Sequence, residues 1–428
     1  MKELKQVIKP FTATCRTEAD GGLTVTVRSR RYFTDLSDHD LYCFLRKNGK
    51  TVAECRFPCL AVPAQGEREY RLPFGLPPCG EADRLWLDLS LRTNRSYEWA
   101  DAGSESGWEQ LFLHRESGQP HRLRADGQLT VERDGTRLRV VGEKTAYTFD
   151  CASGLLCSVT DNGSELLAGP LTPVIWRAPI DNDRRQVEKI KSAGFEAAKV
   201  YCRGFGPREV TAGSEGVTLV GDFVIGESGA LPIVTFTVRY KVLGNEGLTL
   251  TVKAHVREGL PPLPRFGFEV RMPEGFERFV YCGNGPYEAY VDKHRASRFG
   301  VYETTVTEHF EHYLKPQENM AHSETLWATV GAAAGQGLLL AAVDRPFSVN
   351  CSHYDIRAVT AAKHDDELAE TKETVLYLDY RQNGIGSNSC GPELAPEYRF
   401  SEREFTFRAR IKPTATTDST PWNEVFGE

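Results

Sequence analysis

Val234-Thr235-Phe236-Thr237-Val238-Arg239-Tyr240 and Leu248-Thr249-Leu250-Thr251-Val252-Lys253-Ala254 decide how this chain folds. In both runs apolar and polar residues alternate, so every second side chain falls on one face, which is the period of a strand and not of a helix. Phe405, Phe407, Ala409 and Ile411 repeat the pattern near the C-terminus. Toward the N-terminus Leu23, Val25 and Val27 alternate with Thr24, Thr26 and Arg28, and Leu85, Leu87, Leu89 and Leu91 with Trp86, Asp88 and Ser90. Each such run offers one apolar face to a sandwich core. Turn chemistry separates them at Asp20-Gly21-Gly22, at Asn48-Gly49-Lys50 and in the proline-rich segment from Pro73 to Gly80.

With 428 residues the chain exceeds what one hydrophobic core holds, about 250 to 300 residues. Short strands with no helical pattern over the first ~110 residues read as an immunoglobulin-like β-sandwich. The polar stretch from Arg115 to Gln128, with Gly118 and Pro120, reads as a linker region. Beyond it the strands continue without a second linker, as in one large antiparallel assembly. The persuasive helix is Arg184 to Ala198, where Val187, Ile190, Ala193 and Ala197 recur at helical spacing behind Asp181-Asn182-Asp183, with Gly194 weakening it locally. Strand-helix alternation does not repeat, which excludes a TIM barrel and a doubly wound sheet. The polar segment from Thr414 to Glu428 reads as a frayed tail.

A net charge of −7 argues against a nucleic-acid partner, because phosphate binding depends on clustered Lys and Arg. There is no apolar run long enough for a membrane span or, in Met1 to Thr14, for a signal peptide. The 11 cysteines form no CxxC pair and suit free buried thiols in a reducing, cytoplasmic compartment.

Four stretches invite chemistry. Trp176 to Asp183 (WRAPIDND) carries two aspartates that read as a carboxylate pair or metal site, or as helix capping with an ion pair to Arg177. Gly283 to His294 (GNGPYEAYVDKH) mixes glycine, tyrosine and acid as sugar sites do, and a buried turn with its own ion pairs would look the same. His309, His312 and His322, with His294 and His353, lack a Glu or Cys at a metal-binding offset. Asp379 to Pro392 (DYRQNGIGSNSCGP) breaks from a strand into a small-residue loop that can bring backbone close to a ligand, and equally reads as a surface turn. Cys390 within it has no adjoining base to make it a nucleophile. Trp99 and Trp108 read either as core or as part of an interface.

Taken in order, Leu4 to Pro10 (LKQVIKP), Tyr32 to Ser37 (YFTDLS), Arg177 to Asp183 (RAPIDND), Gly283 to Tyr290 (GNGPYEAY) and Gly384 to Pro392 (GIGSNSCGP) resemble the C-terminal part of a β-galactosidase of glycoside hydrolase family two. The resemblance implies a post-barrel immunoglobulin-like sandwich over residues 1–115, a linker over 116–122, a galactose-mutarotase-like β-supersandwich over 123–413 and a polar tail over 414–428. It implies a parent that hydrolyses terminal β-D-galactosides with retention, and a catalytic barrel, in the same polypeptide or a separate subunit, as partner. The catalytic glutamates and the magnesium and sodium ligands would belong to that barrel, leaving this segment with no catalytic residue and no cofactor. The parent would be a homo-oligomer. The loop would form one wall of the galactoside pocket through Asn388, Ser389 and Cys390, and Cys390 is a smaller contact than the tryptophan some members carry there. Two other readings stay open: a free-standing mutarotase-like epimerase using Glu288 and His294, and a carbohydrate-binding or assembly module.

Overall fold

The structure is a computed structural model that describes residues 1–114, 127–210, 216–244, 246–386, 391–416 and 421–426. The chain divides into two compact units, Met1–Gln119 with Trp422–Glu428, and Pro120–Pro421. Nearly all of its regular structure is antiparallel strand.

The smaller unit packs a three-stranded sheet (Phe11–Thr17, Gly22–Ser29, Glu67–Gly75) on a four-stranded one (Lys50–Phe57, His39–Lys47, Leu85–Thr93, Glu105–His114). This is the expected immunoglobulin-like sandwich. Leu23, Val25 and Val27 meet Leu41, Cys43, Leu45, Leu85, Leu87, Leu89 and Leu91 in one sealed core. Asn48 and Gly49 turn the hairpin between the first two strands of the larger sheet with φ of 52° and 88°, values an Asn-Gly pair tolerates. The proline-rich turn begins later than its composition predicts, because Pro73 is held in Glu67–Gly75, an edge strand where a missing N–H costs no ladder bond.

The strand Leu85–Thr93 departs from the one-faced pattern, since Trp86, Asp88 and Ser90 are buried as well. Phe112 lies 6.2 Å from Trp86 between ring centres, Arg46 and Gln110 hold Asp88 at 3.2 and 2.8 Å, and Ser90 donates to Glu105 at 2.6 Å. Long side chains of neighbouring strands thus cover the second face.

The expected frayed tail is corrected. Trp422–Phe426 is a helix belonging to the smaller unit, with Trp422 and Val425 buried and the Trp422 Nε1–H donating to the Ala82 carbonyl at 3.1 Å. Trp422, Val425 and Phe426 share a helical face, which outweighs the polar composition around them. Trp422→Phe keeps most of the apolar contact and removes that donor. It should lower the smaller unit's unfolding free energy by about 1–2 kcal/mol, measured by urea denaturation.

In the larger unit nine strands form one sheet, in the order Lys199–Val210, Val217–Gly226, Val234–Leu243, Gly247–Val256, Glu404–Ala415, Gln336–Ala342, Trp327–Ala332, Phe276–Gly285 and Arg298–Thr305. A five-stranded sheet carries Thr172–Val174, Arg265–Met272, Thr374–Gln382, Phe347–Ser352 and His322–Thr325, and a second five-stranded sheet covers the stretch 130–165. Together they make the large β-supersandwich. The hairpin of Val234–Leu243 and Gly247–Val256 lies within the nine-stranded sheet, with Phe236 opposite Ala254 and Val238 opposite Val252. Phe236 and Phe405 from this sheet meet Phe266 of the five-stranded sheet edge to face at 5.8 and 4.9 Å.

The predicted helix from Arg184 to Ala198 is shorter. A 3-10 turn over Asp181–Arg185 leads into Val187–Ser192, and Gly194 at φ +81° ends it, with Phe195 N–H closing back on the Ile190 carbonyl. Glycine in the left-handed region terminates this helix where composition reads only a local weakness. The ten described cysteines are free, but only Cys43, Cys282 and Cys351 are buried, while Cys59 and Cys79 are exposed. No helix among the described residues is long and apolar enough to cross a membrane.

Candidate functional site

The strand Thr374–Gln382 runs out into Asn383-Gly384-Ile385-Gly386, and two distant runs of sequence fix this stem. Arg177, buried, donates to the Asn383 carbonyl at 2.6 Å and to both Asp183 oxygens at 3.2 and 3.1 Å. Asn182 donates to the Ile385 carbonyl at 2.6 Å. Asp292 accepts from the successive N–H groups of Ile385 and Gly386 at 2.9 and 2.6 Å. A side chain at 384 would not fit, since a Cβ there would lie 2.8 Å from Asp292 Cγ and from Leu394 Cδ1. Ile385 packs with Ile180, Tyr290 and Ala321 in a small apolar cluster.

The RAPIDND, GNGPYEAYVDKH and NGIG runs therefore converge on one place. In the first, the capping and ion-pair reading holds: Asp183 accepts from Ile180 N–H at 3.1 Å and pairs with Arg177. Asp181 faces away, toward Lys315 at 3.4 Å. The returning stem is anchored too, because Arg399 Nε donates to the Leu394 carbonyl at 2.7 Å and Phe400 N–H to Asn383 Oδ1 at 2.9 Å. Asn388, Ser389 and Cys390, the residues expected to touch sugar, lie outside the described residues.

Beneath the stem sits a buried charge network that local sequence does not announce. Arg265 Nη2 donates to Asp379 Oδ2 at 2.7 Å and to Glu318 Oε1 at 3.5 Å, and its guanidinium lies 4.4 Å from the Tyr377 ring centre. Gln382 Nε2 bridges the same two carboxylates at 3.0 and 3.3 Å. One guanidinium faces two acids. Burial pushes Asp379 up to about 6, against the pull of Arg265.

The other candidates separate. Glu288 is engaged by Lys293, by the Tyr313 hydroxyl at 3.3 Å and by Met320 N–H at 3.2 Å. His294 instead lines a cavity on which Glu288 does not border. His294 Nδ1 lies 3.3 Å from the Tyr290 carbonyl, and no hydrogen bond among the described residues joins it to Glu288. His309 and His322 are buried with their Nε2 atoms 2.8 Å apart, each Nδ1 facing a carbonyl, Cys351 at 2.8 Å and Asn284 at 2.9 Å. If both Nδ1 atoms carry protons, the two Nε2 lone pairs oppose each other, so one ring must change tautomer or the pair must share a proton. Burial opposes the charged alternative and pushes His309 down to about 4. His312 pairs with Asp365 at 2.9 Å and His353 with Glu277, away from that pair. Among the described residues no three His, Cys, Asp or Glu side chains come together in a way that could hold a metal ion.

The sequence matches two known families in tandem, "Beta-galactosidase, domain 4" over residues 25–114 and "Beta galactosidase small chain" over residues 141–411. It is 31% identical over 411 residues to a β-galactosidase of Actinobacillus pleuropneumoniae, covering 95% of this chain and 39% of that protein. A β-galactosidase of Staphylococcus xylosus is 30% identical over 76% of this chain and 33% of its own length, and one of Priestia megaterium 28% identical over 96% and 39%. The chain thus spans about two fifths or less of the relatives it matches. Among solved structures, a galactose 1-epimerase from Lactobacillus acidophilus aligns with 68% of this chain and 99% of its own at 11% identity and a TM-score of 0.34, a likeness too low to bear on activity. With the small-chain match running through both stems of the loop and the strands beneath them, the chain belongs to the β-galactosidase small chain family.

Proposed function

We propose that this chain is the C-terminal, non-catalytic segment of a cytoplasmic β-galactosidase that hydrolyses terminal β-D-galactosides with retention. In this reading the loop from Gly384 to Pro392 closes one wall of the galactoside pocket through Asn388, Ser389 and Cys390. Catalysis by double displacement needs two carboxyl groups about 5–5.5 Å apart, and these belong to a barrel that this chain partners. Magnesium and sodium would be held by residues of the same barrel. The parent is a homo-oligomer.

The observation that carries the reading is the rigid stem: two sequence-distant runs spend Arg177, Asn182 and Asp292 on holding the backbone of residues 383–386. An ordinary surface turn does not require such bracing, whereas a pocket wall does. The exposed aromatics Tyr32, Phe33 and Trp99 of the smaller unit support a docked barrel. Their loops are tied through Asp38, which takes Arg31 at 2.6 Å and the Tyr97 hydroxyl at 2.8 Å. Such an apolar patch on a rigid base fits a protein partner.

The test uses the purified 428-residue chain and a chromogenic galactoside. No turnover should occur at high protein concentration, and activity should follow addition or fusion of a family barrel. In that reconstituted enzyme Cys390→Ala should change KM or aglycone preference more than kcat. Turnover by the repurified chain alone would overturn the non-catalytic assignment, and unchanged kinetics across several galactosides would overturn the pocket-wall role.

A further inference from the structure

Cys43 and Cys55 face each other across two antiparallel strands of the smaller unit, as direct partners in the register of His39–Lys47 with Lys50–Phe57. We infer that these two thiols are a site of reversible oxidation, which a peroxide closes into a disulfide that staples the edge strand to its sheet. Direct partners on antiparallel strands point to the same face with Cβ atoms about 4.5–5.5 Å apart, and a disulfide holds them about 3.5–4.5 Å apart. Closure therefore needs a movement of about 1 Å. The strand that moves, Lys50–Phe57, has a sheet neighbour on one side only.

The two positions differ as a reacting and a resolving thiol do. Cys43 is fully buried in the sandwich core, whereas Cys55 is half-buried between the exposed Glu54 and Arg56 on the outermost strand. Peroxide in solvent therefore reaches Cys55 first. Donation from the Cys43 thiol stabilises the Cys55 thiolate and holds its pKa down, while the same contact, together with burial, pushes Cys43 up. Burial instead holds Cys15, Cys79 and Cys157 up. A cysteine that only fills a core is sealed and inert, which describes Cys43 by itself but not the pair.

Other thiols are poorly placed to compete. Cys15 packs on the same core from Phe11–Thr17, in the facing sheet, with Val25 as its ladder partner. Facing sheets lie about 10 Å apart, and a bridge needs Cα atoms within about 7 Å. Cys59 is exposed and lies beyond Phe57, where the paired register ends.

The chemistry takes hydrogen peroxide as oxidant. The Cys55 thiolate attacks one peroxide oxygen and breaks the O–O bond, giving a sulfenic acid and a hydroxide that leaves as water with the thiol's proton. The Cys43 sulfur then attacks the Cys55 sulfur, forming the S–S bond and breaking S–O, and a second water leaves with the Cys43 proton. The two sulfurs lose the two electrons that the peroxide gains. A dithiol reductant, oxidised to its own cyclic disulfide, restores both thiols.

The test treats the 428-residue chain with hydrogen peroxide in dilute solution, blocks remaining thiols with N-ethylmaleimide and maps linked peptides by mass spectrometry without reduction. Arg46, Lys47 and Lys50 lie between the two cysteines, so trypsin puts them on separate peptides. The expected product is a Cys43–Cys55 linked pair that dithiothreitol releases. Hydrogen exchange in Lys50–Phe57 should be about tenfold slower in the oxidised chain than in the reduced one. Cys55→Ser, at a half-buried edge position, should keep the wild-type Tm and abolish the linkage, with Cys43 left unmodified. Cys43→Ala should leave a Cys55 sulfenic acid that dimedone traps; should that variant not fold, the wild-type map decides. Absence of a link, a link from Cys43 or Cys55 to any other cysteine, or over-oxidation of Cys55 with Cys43 still free would each overturn the inference. A Cys43–Cys55 link that leaves exchange in Lys50–Phe57 unchanged would overturn the staple.

Discussion

Arg265→Met should destabilise the larger unit by about 3–5 kcal/mol, the cost of removing one partner from a buried ion pair. The substitution keeps much of the aliphatic stem, so a packing defect would account for little of the loss. What it removes is the cation between Asp379 and Glu318, whose side chains are 0% and 5% exposed. The contact with the Tyr377 face goes with it. The measurement is the urea midpoint of the larger unit at constant m-value. A loss under about 1 kcal/mol would mean that water reaches these carboxylates.

The same network sets a pH dependence whose sign can be worked out. Asp379 has a folded-state pKa of about 6, raised above the ordinary carboxylate value of 3.8. The folded state therefore prefers the proton, and this group's contribution is fully present below about pH 4 and lost as pH rises to about 6. His309, held down to about 4, acts oppositely, favouring the fold more as pH rises from 4 toward 6.5. The two overlap, so wild-type stability alone does not isolate either. The difference between wild type and Asp379→Asn does, because the histidine is common to both. That difference should move against wild type between pH 4 and 6 and level off above; a flat difference would contradict a buried, proton-preferring Asp379.

How far sequence reaches can be seen in these residues. Val234 to Tyr240 and Leu248 to Ala254 could be placed in a sheet from their alternation, because burial on one face is a local requirement. Arg265 and Asp379 are 114 residues apart, and no local period relates them. Each also sits in a strand whose other residues are mostly apolar, where a charge reads as an exception and not as half of a pair. The tail failed for a similar reason, since Trp422 gains its partner from Ala82, 340 positions earlier. The helix end was misread at Gly194 because glycine's cost in a helix and its use as a stop depend on a φ angle that composition does not reveal. As for the site, the three runs were each noticed and their order supported a family resemblance. That Asp183, Asn182 and Asp292 would act on one stem required the fold.

Asp292→Ala should release that stem while leaving the sheets intact. Two successive N–H groups, at Ile385 and Gly386, would lose a carboxylate acceptor, and hydrogen bonds to a charged group contribute about 1.5–3 kcal/mol each. Arg177 and Asn182 still hold the Asn383 and Ile385 carbonyls, so the loss should be local: hydrogen exchange at 385 and 386 should speed up about tenfold to a hundredfold, with exchange in Val234–Leu243 unchanged. Asp292→Asn retains one acceptor oxygen and should recover part of the protection. Gly384→Ala attacks the same joint from the other side, because its methyl must displace Asp292 or Leu394 from 2.8 Å. If the loop is the pocket wall proposed above, both Asp292→Ala and Gly384→Ala should raise KM for galactosides in a barrel-bearing parent, since each would misplace that loop. Exchange that speeds up with kinetics unmoved would separate the two claims: the stem would be braced as described, and the braced loop would not be part of the galactoside pocket.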